Sequence, residues 1–323
     1  MNAVEREQIC QRLGQDKRRL GLPLEDVRRI DRYFADNWGI TMPRPPARWK
    51  RHLRELGGKV LDAEYWRLHD SLASHYEFGS APPQDLETAF YDTLAHPHIF
   101  RHVHSQKRTE ILDAGCLLVH LARTLEIRGP ILDVGCHTGH HAHLLAQDLQ
   151  VPVAGIDLSV NAIEVARAKT AGTPGLTFSC TPLGDPSFTN AFEMIYAVRS
   201  IDLDEETVGL VATALQPGGV AVILTSDAPE YSAEERAVIR DVGMGWGLAD
   251  VVGGWVGEER DYEAGCVVVL IKGGTLSLPE DVVEQATSAW NDHFKDYAKN
   301  PQTPSAQQTQ AYCRGHWMAG NPR

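Results

Sequence analysis

No stretch of this 323-residue chain is apolar over anything near the ~18 residues that a membrane-spanning helix needs. Cysteine is sparse and scattered: Cys10, Cys116, Cys136, Cys180, Cys266 and Cys313 form no CxxC pair. That spacing argues against a disulfide frame and against a zinc site, and reads as reduced thiols. Aromatic residues make up 7% of the chain and do not interleave with basic ones, so the stacking platform of a single-strand nucleic-acid binder is missing. The first 20 residues, MNAVEREQICQRLGQDKRRL, hold no apolar h-region. These absences together predict a cytoplasmic protein with no membrane partner, for which a nucleic-acid partner is disfavoured.

What is present is the balance of a globular chain, 43% hydrophobic and 23% charged, long enough for one α/β domain plus a substantial addition. The net charge of −12 is uneven. Residues 1–60 carry 14 Lys/Arg against 8 Asp/Glu, a net of +6, which leaves −18 for the remainder. A basic arm on an acidic body reads first as a segment docking on the protein's own acidic surface or on a second subunit, so a homodimer is compatible with it. Its sharper reading is attachment of an anionic substrate such as RNA.

The first 105 residues show helical spacing. In Leu24–Trp38, Val27, Ile30, Phe34 and Trp38 recur at intervals of three and four, and Gly39 supplies a stop. Prolines break the pattern at 42–47, and segments near 47–57, 61–76 and 84–95 again look helical. The segment 106–127 contains Ile111-Leu-Asp-Ala-Gly-Cys116, a near copy of Ile131-Leu-Asp-Val-Gly-Cys136. The apolar stripe of Ile111, Leu112, Leu118, Val119, Ala122 and Leu125 makes it a helix nonetheless.

From residue 130 the texture changes. Strands are expected at 130–134, 153–157, 176–180, 193–198 and 220–225, with helices at 140–149, 161–171 and 204–215. Such alternation predicts a parallel, doubly wound sheet. Segments 248–256 and 264–271 are expected to close it as a hairpin. A helix at 279–297 and a polar tail would follow. The organisation that results is a helical N-terminal subdomain (1–105) capping the substrate site, an α/β domain (106–274) and a C-terminal helix with its tail (275–323).

The sharpest motif is Ile131-Leu-Asp-Val-Gly-Cys-His-Thr-Gly139, a strand running through a glycine turn into a helix. Ligands of doubly wound sheets sit beyond the carboxyl ends of the strands at such turns. Glycine permits close backbone approach there, and the helix start offers free N–H groups. Asp157 ends the following strand, placed to accept hydrogen bonds from two ribose hydroxyls. A dinucleotide fingerprint would need glycine where His137 and His140 stand, so a pyrophosphate has no cradle.

The pattern Asp-x-Gly-x-x-x-Gly resembles the cofactor loop of class I S-adenosylmethionine-dependent methyltransferases. Three later stretches resemble the same family in order: Gly155-Ile-Asp-Leu-Ser159 with Ala162-Ile-Glu-Val-Ala-Arg167, Phe192-Glu-Met-Ile-Tyr-Ala197, and Leu215-Gln-Pro-Gly-Gly219. The resemblance covers about residues 128–272. It implies a Rossmann-like, mostly parallel seven-stranded sheet and S-adenosylmethionine as cofactor. It assigns the methionine moiety to Gly135, Cys136, His137 and Gly139, with Asp133 at the edge, and the ribose to Asp157. Leu158, next to Asp157, is a further cofactor-binding position; Thr181, Pro182 and Leu183 would flank the adenine, with Asp185 a rival acidic residue, and Ala197 and Val198 would lie beneath the sulfonium. Arg199, Ser200 and Asp202 fall on the substrate side, and His137, Arg199 and Asp202 are the candidate catalytic residues.

One departure stands out, since His137 replaces a frequent glycine. A negative φ would let its side chain turn toward substrate, whereas a positive φ would compromise the loop. His140, His141 and His143 read as a partly exposed helix start. The pairs His96/His98 and His102/His104 have H-x-H spacing but no carboxylate or thiolate partner, so no metal is expected. The favoured function is methyl transfer to a small-molecule acceptor. The alternatives are an RNA or protein methyltransferase, and a catalytically silent cofactor-binding subunit.

Overall fold

A computed structural model describes residues 1–15, 22–40, 63–77, 82–106, 108–201, 205–225, 244–251 and 266–273. The proline break at 42–47, the helices expected at 47–57 and 279–297, the polar tail and Asp202 lie outside the described residues.

Among the described residues, six helices precede the first strand: α1 (Ala3–Gln15), α2 (Leu24–Trp38), α3 (Ala63–Glu77), α4 (Gln84–Leu94), α5 (Pro97–Gln106) and α6 (Arg108–Thr124). There follow β1 (Ile131–Val134), α7 (His140–Leu149), β2 (Val153–Asp157), α8 (Val160–Lys169), β3 (Leu176–Cys180), β4 (Phe192–Val198), α9 (Glu205–Ala214), β5 (Leu215–Thr225), β6 (Met244–Val251) and β7 (Cys266–Lys272). The strands form one sheet in the order β3-β2-β1-β4-β5-β7-β6. The first five are parallel, while β7 runs antiparallel to both β5 and β6. A doubly wound α/β architecture is thus what the alternating pattern produces. The closing pair is the expected hairpin, with its first arm starting at Met244 rather than Leu248. No helix among the described residues is long and apolar enough to cross a membrane.

Side chains of a strand alternate between faces, and alternate residues of these strands feed two cores. Ile131, Met194, Tyr196, Val220, Val222, Val269 and Ile271 meet α6 and α7 through Leu118, Leu121, Leu144 and Leu145. Leu132, Val134, Ile195, Ala197, Ala221, Ile223, Val268 and Leu270 meet α9 through Val208, Val211 and Ala212. Burial on both faces explains why these strands read as continuous apolar runs instead of alternating ones. Each such aliphatic side chain contributes roughly 1.5–3 kcal/mol when fully buried.

The stripe on α2 is buried as its spacing predicts, with Val27, Ile30, Phe34 and Trp38 at most 6% exposed. Gly39 ends the helix at φ +66, its N–H and that of Ile40 reaching back to the Ala35 and Phe34 carbonyls. The look-alike Ile111–Cys116 is helical, and its glycine has a packing reason. A Cβ on Gly115 would stand 3.0 Å from the Phe34 ring. What resembles a cofactor turn in the sequence is the contact by which α6 accepts α2.

Helix α1 packs on the sheet through Cys10, and its most buried charged side chain, Arg6, fastens it to the start of β4 and β5. The Arg6 guanidinium is 2% exposed; it donates to the carbonyls of Leu125 (3.3 Å) and Gly218 (2.6 Å) and pairs with the Glu193 carboxylate. Glu193 also accepts from the Arg128 N–H (2.9 Å) and the Gly129 N–H. Burial would raise the Glu193 pKa, yet Arg6 and these amides outweigh it and hold the carboxyl below its ordinary value. The basic arm therefore docks, at Arg6, on an acidic group of its own chain.

Candidate cofactor site

The strand order reverses between β1 and β4, and a doubly wound sheet opens its ligand crevice at the carboxyl ends of those strands. There Val134 sits in register with both Ile156 and Ala197, so the turns after β1, β2 and β4 lie side by side.

The turn after β1 places Gly135, His137 and Gly139 in the left-handed region, at φ +69, +48 and +81. The middle residue is thus a histidine in a conformation that costs a non-glycine residue about 1–2 kcal/mol. The expectation that a positive φ compromises the loop meets a specific geometry. The His137 N–H donates to Asp157 Oδ2 at 2.7 Å, and the Ser159 N–H donates to Oδ1 at 2.8 Å. One carboxylate thereby orders both turns. A carboxylate has about four acceptor positions, so two remain for a ligand. Asp157 is half-buried and the next residue, Leu158, is 42% exposed, an arrangement of carboxylate and open apolar wall that fits an adenosine. Gly135 has its own requirement: Ser200, which donates to the Val134 carbonyl at 2.5 Å, occupies the space a Cβ would need.

The His137 ring turns away from the open side of the turn. It is 8% exposed and lies face to face with Phe100 (centroids 5.8 Å, 16°) and His104 (5.6 Å, 13°). Its Nε2 is 3.3 Å from the Tyr91 carbonyl, and a carbonyl only accepts, so Nε2 carries the proton. Nδ1 is buried, with no hydrogen-bond partner among the described residues.

The three following histidines require a correction. His140, His141 and His143 are buried, at 7%, 5% and 7% exposure, because α2 and α5 cover the start of α7. His141 donates from Nε2 to the Ile111 carbonyl (3.1 Å), and His143 Nδ1 meets the Tyr33 hydroxyl (2.8 Å). Burial lowers the pKa of His137, and Asp157, the Tyr91 carbonyl and Asp92 oppose it without prevailing. His140 falls well below its usual value through burial and its histidine neighbours, and His141 falls to about 4 through burial.

A pH prediction follows from these three. The unfolded chain takes up protons on them below pH ~6.5, while the folded chain refuses them, so stability falls as pH drops from ~6.5 toward 4. Asp133 works in the opposite sense. Burial, then Asp157, push it up to about 7 against the pull of the Tyr196 hydroxyl and the Ala142 amide, so the folded chain holds its proton where the unfolded chain has lost it. Three histidines outnumber one carboxyl, and the urea midpoint is expected to be lower at pH 5.5 than at pH 7.5. An equal or higher midpoint at pH 5.5 would contradict the buried neutral histidines.

After β3, where the resemblance would put the adenine, Thr181 donates to Asp185 Oδ2 (3.2 Å), and Asp185 accepts from the Ser187 N–H (2.9 Å) and hydroxyl (2.7 Å). Asp185 is therefore committed to capping the 3-10 turn Pro186–Phe188; the Ser187 hydrogen bonds lower its pKa. Pro182 is exposed and Leu183 half-buried. Ala197 is buried and Val198 half-buried at the end of β4. Arg199 follows at φ +52, its N–H bonded to the Leu224 carbonyl at 2.8 Å. Among the described residues no group of three or more His, Cys, Asp or Glu side chains is arranged to hold a metal ion.

The residues missed by sequence reasoning come from the helices before the sheet. Asp92 Oδ1 accepts from the Ser159 hydroxyl (2.5 Å) and the Asn161 N–H (3.2 Å), and Ser159 in turn caps α8 by accepting from the Ala162 N–H (3.0 Å). A serine just ahead of a predicted helix is a legible cap signal. Nothing in the sequence pairs it with Asp92, 67 residues earlier.

This geometry is accompanied by a family match. Residues 131–219 match the methyltransferase-domain family, a span that takes in β1, the glycine turn, Asp157 and the first residues of β5. Over this span, a little over a quarter of the chain, the sequence is that of a methyltransferase domain, in agreement with the resemblance read from the motifs. An O-methyltransferase of Penicillium expansum, cnsE, is 36% identical over 109 residues, 31% of this chain and 39% of that protein. The chain thus spans about two fifths of the length of that curated relative. Solved structures with a similar course include a SAM-dependent methyltransferase from Aquifex aeolicus (14% identity, 51% of this chain, 97% of that one, TM-score 0.38). The citrinin polyketide synthase CMeT domain is another (15% identity, 70% and 69%, TM-score 0.43).

Proposed function

We propose that this chain transfers a methyl group from S-adenosylmethionine to a small-molecule acceptor. The observation that carries the reading is Asp157, whose two oxygens order the turns after β1 and β2 while keeping acceptor capacity for a ribose. Bound S-adenosylmethionine supplies a methyl carbon on a positively charged sulfur, open to in-line displacement by an acceptor's lone pair.

The residues of this chain have defined tasks in that scheme. Asp157 holds the ribose hydroxyls and Leu158 walls the adenine with Thr181, Pro182 and Leu183. Gly135, Cys136, His137 and Gly139 present main-chain groups to the methionine moiety, with Asp133 behind them. Ala197 and Val198 form an apolar floor that excludes water under the reacting carbon. Holding the acceptor in line supplies most of the rate enhancement, since alignment alone removes several kcal/mol from such a barrier. The helical segment 1–105 closes over the acceptor, and Arg199 and Asp202 are the side chains assigned to orient it. His137 acts through its main chain, because its ring packs into the cap.

The name of the Penicillium relative, an O-methyltransferase, supports an oxygen acceptor. The purified chain, given methyl-labelled S-adenosylmethionine, is to be offered separate pools of hydroxylated aromatic compounds, RNA and protein. Label in the first pool supports the reading. Label confined to RNA or protein replaces it with a macromolecular substrate, and no label in any pool despite retained cofactor binding replaces it with a silent cofactor-binding subunit.

A further inference from the structure

Two consecutive residues in the last turn of α4 touch both turns of the candidate cofactor site. The Tyr91 carbonyl accepts from His137 on the turn after β1, and the Asp92 carboxylate accepts from Ser159 and Asn161 on the turn after β2. These are the same two turns that Asp157 joins from inside the sheet. We propose that the last turn of α4 is a two-point clamp on the cofactor turns, and that Asp92 is a positioning residue for cofactor binding. The inference rests on the cofactor reading above and assigns to the N-terminal helices a role beyond capping the acceptor.

The physical argument concerns where the restraint acts. A helix start leaves its first N–H groups without intrahelical acceptors, and Asp92 brings a negative charge to the start of α8, where the helix dipole favours it. Ser159 is caught between two roles: its hydroxyl donates to Asp92 while its oxygen accepts from Ala162, and its own N–H donates to Asp157. Without Asp92, the Ser159 hydroxyl is free to rotate and the turn carrying Asp157 and Leu158 loses its outer support. On the other turn, His137 is held in the left-handed region while Phe100 and the Tyr91 carbonyl fix its ring from α4 and α5. A strained backbone persists where its surroundings over-determine it, and here they are supplied by the helices before the sheet. Ordering both turns before the cofactor arrives lowers the ordering cost of binding. Conversely, a bound cofactor must steady α4.

The test is a calorimetric titration of the full chain with S-adenosylhomocysteine, comparing wild type, Asp92→Ala and Asp92→Asn at matched thermal stability. Loss of a charge-assisted hydrogen-bond pair is expected to raise Kd about tenfold in Asp92→Ala. Asp92→Asn keeps an accepting oxygen for Ser159 and Asn161 and is expected to recover most of the affinity. A folded Asp92→Ala with wild-type Kd overturns the clamp while leaving the cofactor reading intact; a wild-type chain that binds no S-adenosylhomocysteine removes that reading and the clamp with it. If Asp92→Ala does not fold, hydrogen exchange of wild type decides the matter. Amides of Gln84–Leu94 are expected to exchange several-fold more slowly with S-adenosylhomocysteine bound, and unchanged exchange overturns the proposal.

Discussion

Arg6→Ala is expected to lower the unfolding free energy by about 3–5 kcal/mol, the usual cost of removing one partner from a buried ion pair. The magnitude follows from what is left behind. Glu193 keeps its two amide donors but loses the charge that offsets its burial, and the Leu125 and Gly218 carbonyls lose their donor. Solvent screening does not rescue the pair, because the Arg6 side chain is 2% and the Glu193 side chain 19% exposed. Arg6→Lys is expected to recover only part of the loss, since an ammonium cannot serve three divergent acceptors with a planar fork. Urea denaturation at pH 7.5 measures both variants. A loss under 1 kcal/mol for Arg6→Ala would mean that α1 is an accessory to the sheet and not part of its support.

Asp157→Ala is expected to weaken S-adenosylhomocysteine binding at least about a hundredfold, roughly 2.7 kcal/mol. Hydrogen bonds to a charged group contribute about 1.5–3 kcal/mol each, and this substitution removes the ribose contacts proposed above as well as the anchors of the His137 and Ser159 amides. Asp157→Asn keeps one accepting oxygen and is expected to fall between the two. Calorimetry on the folded variants checks the order. An Asp157→Ala variant that binds like wild type would transfer the ribose to some other group and dissolve the assignment of this end of the sheet.

The sheet was legible because its strands are buried on both faces and separated by glycine turns, features that local sequence carries. The motif from Ile131 to Gly139 announced a strand, a turn and a helix within nine residues, and Asp157 announced itself by ending the next strand. The twin motif at Ile111 shows how far such reading goes. Its apolar stripe identified it as helical, but the reason for Gly115, contact with Phe34, depends on a residue of α2 far earlier in the chain. The histidines of α7 were misjudged for the same reason: polarity suggested exposure, and only the packing of α2 and α5 across α7 buries them. At His137 the sequence raised the right question, the sign of φ. The answer depends on Phe100 and on the Tyr91 carbonyl, since side-chain stacking and a main-chain acceptor from distant helices leave no mark in the motif. Asp92 was invisible for that reason too.

The central claim is that the turns after β1 and β2 form a site for S-adenosylmethionine. Calorimetric titration of the 323-residue chain with S-adenosylmethionine, S-adenosylhomocysteine and NAD in separate runs tests it most directly. Micromolar binding of both sulfur compounds with none of NAD is the result predicted. Failure to bind either sulfur compound would contradict it, and would mark His137 as the position at which the family's site was lost.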